Sequence, residues 1–108
     1  MAQKVNIVMD QGTTFSVTYE FTDDNGDPIN FSTYTGVAQM RKSYSTSTYY
    51  AFTVGLGTTG IVSLSMDASN TASITAGRYV YDLEVTDTNS VISRLVEGIV
   101  TVTPQVTR

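Results

Sequence analysis

Hydrophobic and polar residues alternate with a period of two along most of the chain, the mark of strands that bury one face. Val5, Ile7 and Met9 alternate with Lys4, Asn6 and Asp10, and Val8 breaks the rule. Phe15, Val17, Tyr19 and Phe21 alternate strictly with Thr14, Ser16, Thr18, Glu20 and Thr22, which predicts a half-buried strand with an aromatic inner face. Asp24-Asn25-Gly26-Asp27-Pro28 reads as a tight turn, with Asn25 and Gly26 at two positive-φ positions and Pro28 barred from a central strand. Further strands are expected over 36–42, 49–54, 62–66, 79–86 and 92–103, the last stopped by Pro104. Residues 67–74 break the alternation, and Asp67 is placed to cap about two helical turns of a connector. Seven strands with closely spaced turns predict an all-β fold, an antiparallel immunoglobulin-like β-sandwich with one short helical crossover. The expected core is Phe15, Val17, Tyr19, Phe21, Ala38, Met40, Val62, Leu64, Met66, Tyr81, Leu83, Val85, Val100 and Val102.

Composition narrows the chemistry. The 108 residues suit one domain, 1–108, large enough to bury about two-thirds of the surface of its unfolded chain. Cysteine and histidine are absent, which removes disulfides, cysteine nucleophiles and His-based acid–base schemes. Eighteen threonines, thirteen valines and six isoleucines favour strands, because β-branched side chains are stiff at χ1 and pack well on a pleated surface. A net charge of −4 argues against a nucleic-acid partner. The N-terminal segment has no signal-peptide pattern, and the longest apolar run, Tyr49-Tyr50-Ala51-Phe52, is too short for a membrane span, so no membrane association is expected.

Three segments imitate reactive or ligand-binding motifs. Gly55-Leu56-Gly57-Thr58-Thr59-Gly60 spells a dinucleotide fingerprint, yet a strand pattern follows where a pyrophosphate-binding helix is required; an inter-strand loop is the expected reading. Asp23-Asp24-Asn25-Gly26-Asp27 resembles part of a calcium loop, but Ser32 stands where the bidentate glutamate belongs. Asp82 and Glu84 lie on one strand face, about 6.6–6.8 Å apart along the backbone. Paired carboxylates of this kind can hydrolyse glycosides, but a solvated outer face is the expected reading. Arg41-Lys42 is too small a basic patch for a nucleic-acid groove. No cofactor, metal or catalytic residue is expected.

Gly77-Arg78-Tyr79-Val80-Tyr81 after the helical connector reads as a tyrosine corner, in which the Tyr79 hydroxyl bonds back into residues 67–77. The lack of a Cys pair and of Trp excludes an antibody-type core. Gln11-Gly12-Thr13-Thr14-Phe15, Asp24-Asn25-Gly26-Asp27-Pro28-Ile29, Tyr34, Val37-Ala38-Gln39-Met40-Arg41, Ala76-Gly77-Arg78-Tyr79-Val80-Tyr81-Asp82-Leu83-Glu84-Val85 and Glu97-Gly98-Ile99-Val100-Thr101-Val102-Thr103-Pro104 recur in that order in small virion modules of tailed bacteriophages. Over residues 11–104 the chain resembles the N-terminal module of phage baseplate upper proteins. The resemblance implies a non-enzymatic virion protein, a decoration, neck, tail or fibre-adaptor module, docked to other virion structural proteins in multiple symmetric copies. The long fibre-binding region of baseplate upper proteins has no counterpart in these residues. A carbohydrate-binding or adhesive module on a phage fibre or cell surface is the alternative; exposed tyrosines suit it, the lack of Trp does not.

Two groups of residues are candidate partner contacts. The segment Tyr44-Ser45-Thr46-Ser47-Thr48-Tyr49-Tyr50 joins two strands, and tyrosine combines large contact area with a polar tip. One of Tyr49 and Tyr50 should face the core and the other, with Tyr44, a neighbouring subunit. Val80, Leu95 and Ile99 occupy the outward parity of strands expected to pair, which would gather them into one exposed apolar patch. Two arrangements would remove the patch: a β-bulge at Gly98 returning Ile99 to the core, or the segment around Val8 folding over it.

Overall fold

The alternation is realised as a curled, mixed sheet of eight strands and one short helix. The structure is a computed structural model and describes residues 3–106, so the ends of the expected 1–108 domain lie outside the described residues. The strands are β1 (Gln3–Lys4), β2 (Ile7–Asp10), β3 (Phe15–Glu20), β4 (Thr35–Arg41), β5 (Tyr50–Leu56), β6 (Ile61–Met66), β7 (Gly77–Thr86) and β8 (Ile92–Thr103), with α1 (Ala68–Ala72) between β6 and β7. Neighbours run β1-β8-β7-β4-β5-β6-β3, and β2 also pairs with β8. Strand β5 turns the sheet: residues 50–52 pair with β4, and residues 53–56 pair with β6. No helix among the described residues is long and apolar enough to cross a membrane.

The all-β class follows from the pattern, but the sheet is not antiparallel throughout. Both β1 and β2 run parallel to β8, with Lys4 opposite Glu97 and Ile7 opposite Val100. A parallel pair needs a long crossover, and here almost the whole chain lies between its members. Alternation reveals faces and not partners, so the direction of this pairing has no local signature. The expected first strand is also split at Val5 and Asn6. There the Val5 carbonyl accepts the Tyr81 hydroxyl at 2.6 Å, and the Asn6 carboxamide oxygen accepts Ile99 N–H at 3.1 Å. A β-carbon at position 98 would overlap the Val5 carbonyl oxygen, so Gly98 admits this close approach.

Eleven of the expected core residues are buried, among them Met40, Leu64, Leu83 and Val100. Phe15, Val17 and Tyr19 only pack partly against them, because β3 ends the sheet and has a neighbour on one side. Phe31, outside the strands, is 1% exposed and meets Phe21 and Tyr34 edge-on at ring-centroid distances of 6.1 and 5.1 Å. Alternation overlooks it because a loop has no period.

The turns correct two further expectations and bear out a third, the inter-strand loop read from the glycine-rich segment. Only Gly26 has positive φ, at 83°, in the Asp23–Asp27 turn; Asn25 does not. The Asp23 carboxylate accepts both Asn25 N–H and Asp27 N–H, so it closes the turn as an Asx motif. The glycine-rich segment forms the β5–β6 hairpin: Phe21 N–H donates to Gly60 O at 2.8 Å and Phe31 N–H to Gly57 O at 3.0 Å. Asp67 holds the N-cap position of α1 but makes no side-chain cap bond, and the helix is five residues long. Its anchor is buried Thr71, which donates to Thr13 O at 2.7 Å and accepts Gly12 N–H at 3.1 Å. Beside it the Gln11 side chain donates to Ile74 O and accepts Gln105 N–H, tying three segments together.

The expected tyrosine-corner bond is present, with the Tyr79 hydroxyl donating to Thr75 O at 2.6 Å. Because Thr75 is exposed, water can replace the lost partner, and Tyr79→Phe should cost about 1 kcal/mol in urea melts. The Asp87 turn repeats the Asp23 turn: its carboxylate accepts Asn89 and Val91 N–H, and Ser90 occupies the left-handed position at φ 65°. A left-handed L-residue costs about 1–2 kcal/mol, offset by about 0.5–1 kcal/mol of extra glycine backbone entropy, so Ser90→Gly should stabilise by up to about 1 kcal/mol. A neutral or lower melting midpoint would contradict this account of the turn.

Candidate functional site

The outer face of β8, β7 and β4 forms cross-strand rows fixed by register. Ile99, Val80 and Arg41 make one row; Glu97, Asp82 and Gln39 the next; Arg94, Glu84 and Val37 the third. Strand alternation sends these residues away from the core. All of them except Ile99 line, with Tyr44, a groove of about 380 Å³. Val80 and Val37 stand on either side of a polar floor of Asp82 and Gln39.

Arg41 builds the rim. Its guanidinium donates to Thr46 O at 2.7 Å, Ser47 O at 3.0 Å and the Gln39 carboxamide oxygen at 3.0 Å, and sits 4.9 Å from the centre of the Tyr49 ring. These contacts fold the 43–49 loop back over the end of β4. Tyr44, on this loop, lines the groove and is 84% exposed. Tyr49 faces outward on Arg41, whereas Tyr50 packs against the core with its ring edge-on to Tyr79 at 6.1 Å. The three tyrosines therefore do not share one surface.

The apolar candidates separate as well. Val80 and Ile99 are opposite one another on the outer face, the first half-buried and the second exposed. Leu95 does not join them. Leu83 pairs with Val96 but Glu84 pairs with Arg94, so Leu95 is an extra residue in a β-bulge and packs against the core. The bulge is at Leu95, not at Gly98, and Ile99 stays outside. Val8 is itself 65% exposed on the neighbouring strand. Arg94 carried a readable signal: unbroken alternation would put this charge on the core face with Val96, which only a register shift avoids.

Electrostatics gives the groove its character. Arg94 bridges Asp82 at 3.4 Å and Glu84 at 3.9 Å. Burial, then Glu84 and Glu97, push the Asp82 carboxyl above its ordinary value against the opposing pull of Arg94 and Arg41. Glu97 makes no ion pair among the described residues, although Lys4 is opposite it in register. Among the described residues, no group of three or more His, Cys, Asp or Glu is placed to hold a metal ion. Val37, Gln39, Glu97 and Arg94 were not expected at a site, because only the pairing of β4, β7 and β8 brings them together.

No family model matches the chain, and no curated protein matches it. Among solved structures, an internalin-like protein of Listeria monocytogenes is similar, with a TM-score of 0.51 and 14% identity over 94% of this chain and 28% of that one. A family 123 glycoside hydrolase from Clostridium perfringens aligns with a TM-score of 0.43 and 15% identity over 97% of this chain and 24% of that one. The chain thus spans about a quarter of the length of each. The first likeness is one of fold alone.

The direction of the Asp82 shift fixes a pH effect. A carboxyl raised in the folded state binds its proton more tightly there than in the unfolded chain, so its contribution to stability is lost as pH rises through its folded value. Asp82→Asn keeps the shape and removes that titration. Urea melts should show the variant gaining stability relative to the parent between pH 4 and pH 7, with the difference growing as pH rises; the opposite trend would mean that the Arg94 ion pair outweighs burial and repulsion.

Proposed function

We propose that this domain is a non-enzymatic docking module, a structural component of a tailed-phage particle that binds other virion proteins through the outer face of β4, β7 and β8. The observation that carries the reading is that this broad pleated face leaves Val37 and Ile99 exposed around a structured groove. Exposed apolar groups around a polar centre suit a protein partner. The resemblance of residues 11–104 to baseplate-upper-protein modules supports the virion setting. An immunoglobulin-like sandwich belongs to the same reading, supported by the Tyr79 corner and by the packing of β3 aromatics across from β7, where Tyr19 and Tyr81 hydroxyls meet at 2.9 Å.

A second reading, glycan binding, has Tyr44 in its favour, an exposed ring beside carboxylates that accept hydroxyl hydrogen bonds. It has no second stacking residue, since Tyr49 is engaged with Arg41.

Mass spectrometry of purified particles tests the primary reading, with the chain expected at a stoichiometric ratio to other virion proteins. Ile99→Asp should leave the isolated domain folded and reduce incorporation at least about tenfold, the change in equilibrium that roughly 1.4 kcal/mol of lost docking energy produces. Leu95→Asp should instead lower stability, because Leu95 packs on the core. Absence of the chain from particles, or full incorporation of the Ile99 variant, would overturn the reading.

A further inference from the structure

We propose that the domain assembles head-to-tail with further copies of itself, the β1–β2 edge of one copy adding as an antiparallel strand to the β3 edge of the next. The contact uses the backbone edges of the sheet and not the outer face of β4, β7 and β8.

The sheet has two open ends among the described residues. Strand β3 pairs with β6 alone, and β1 and β2 pair with β8 alone. An exposed strand edge is usually blocked by a lysine, a proline, an inward charge or a bulge. Over Phe15–Glu20, β3 carries none of these, and its six residues pair with β6 without a register shift. Its inward residues Phe15, Val17 and Tyr19 are half-buried, whereas their β6 partners Met66, Leu64 and Val62 are buried. Burial is unfinished on the open side.

The free backbone groups of the two edges match. Phe21 N–H donates to Gly60 O, and hydrogen-bonded positions alternate along an antiparallel ladder. The odd residues of β3 therefore bond to β6, and Ser16, Thr18 and Glu20 turn their backbone groups to the open side. On the other edge Val5 and Gln11 N–H donate to Glu97 O and Thr103 O of β8, both at 3.0 Å. The same alternation turns the backbone of Lys4, Asn6 and Val8 away from β8. With Val8 of one copy opposite Ser16 of the next, Asn6 falls opposite Thr18 and Lys4 opposite Glu20. The inward residues fall in step too, Met9 with Phe15, Ile7 with Val17 and Val5 with Tyr19. The two sheets then continue as one, with their apolar sides on the same face.

Charge complementarity selects the direction. Lys4 and Asp10 mark the two ends of the β1–β2 edge, and Glu20 marks the end of β3. Antiparallel addition brings Lys4 to Glu20 and leaves Asp10 beside Thr14; parallel addition would set Asp10 against Glu20. Lys4 is opposite Glu97 in its own copy, yet neither Lys4 nor Glu20 makes an ion pair among the described residues. In the joined sheet Lys4 stands between two carboxylates, a favourable cross-strand row. Because the two edges differ, the contact is heterologous and ends only by closing a ring.

The test is sedimentation velocity of the full chain from about 10 µM to about 1 mM. Mass should rise past that of a dimer, with a dissociation constant on the order of 0.1 mM, as suits a small transient contact. Glu20→Lys and Lys4→Glu should each weaken association at least about threefold, since a cross-strand attraction becomes a repulsion, and the double variant should restore it. Thr18→Pro and Val8→Pro each delete one N–H on an open edge, where proline is tolerated, and should leave the domain folded by circular dichroism. Each alone should be monomeric, and an equimolar mixture should stop at dimers, because each variant keeps one intact edge. If a proline variant unfolds, the charge exchange still decides. A parent chain that stays monomeric throughout would overturn the proposal. So would a dimer that survives Val8→Pro, which would pair β3 with β3, or a double charge variant no better than the single ones.

Discussion

The Tyr81 hydroxyl is the joint on which the curl of the sheet depends. It donates to the Val5 carbonyl at 2.6 Å and lies 2.9 Å from the Tyr19 hydroxyl, so β7, the edge strand β3 and the N-terminal segment meet at one oxygen. A phenol has one proton, and Val5 takes it, which leaves Tyr19 as the donor to Tyr81. Burial, with the neighbouring Tyr19 adding to it, holds the Tyr81 hydroxyl protonated well above the ordinary tyrosine range. The hydroxyl therefore keeps its proton beyond the pH at which an ordinary tyrosine ionises. The junction also explains the split between β1 and β2, because the carbonyl that serves Tyr81 is turned out of the ladder with β8. Gly98 is the complementary requirement: a side chain there would occupy the space the carbonyl needs.

A second device, the bulge at Leu95, decides what the outer face is. One extra residue in β8 reverses the parity of everything before it. Arg94 moves from the core side to the outer side and reaches both Asp82 and Glu84. Leu95, aimed outward by simple alternation, packs inward. The groove and its charge pattern thus depend on a single insertion more than on any one side chain within it. Burying an unpaired guanidinium would cost several kcal/mol, so the shift is the inexpensive solution.

The loop at residues 43–49 shows how a polar segment becomes ordered without a core of its own. Arg41 satisfies two backbone carbonyls and stacks on Tyr49, and the Ser43 and Thr46 hydroxyls bond at 2.7 Å. Tyr44 is exposed because these contacts use the loop's other groups. Arg41, which organises the loop, stands on the strand next to that of Asp82 and on the same sheet face.

Strand positions and core faces were legible in the sequence, because a period of two is local and burial of one face needs only the alternation of Phe15 to Phe21, Val62 to Met66 or Tyr79 to Val85. The tyrosine corner was legible for the same reason, since its donor and acceptor are four residues apart. Partners, directions and registers were not. The parallel pairing of β2 with β8 joins residues 93 positions apart in the chain, and nothing near Ile7 specifies Val100. The groove was invisible on the same ground: Val37, Asp82 and Glu97 share a face only once three strands have aligned, whereas Asp82 and Glu84 alone were readable as neighbours on one strand. Local sequence determined which residues seek water and which avoid it. Tertiary structure alone decided which of them meet, because a one-residue bulge or a long-range pairing costs little locally and rearranges every contact across the sheet.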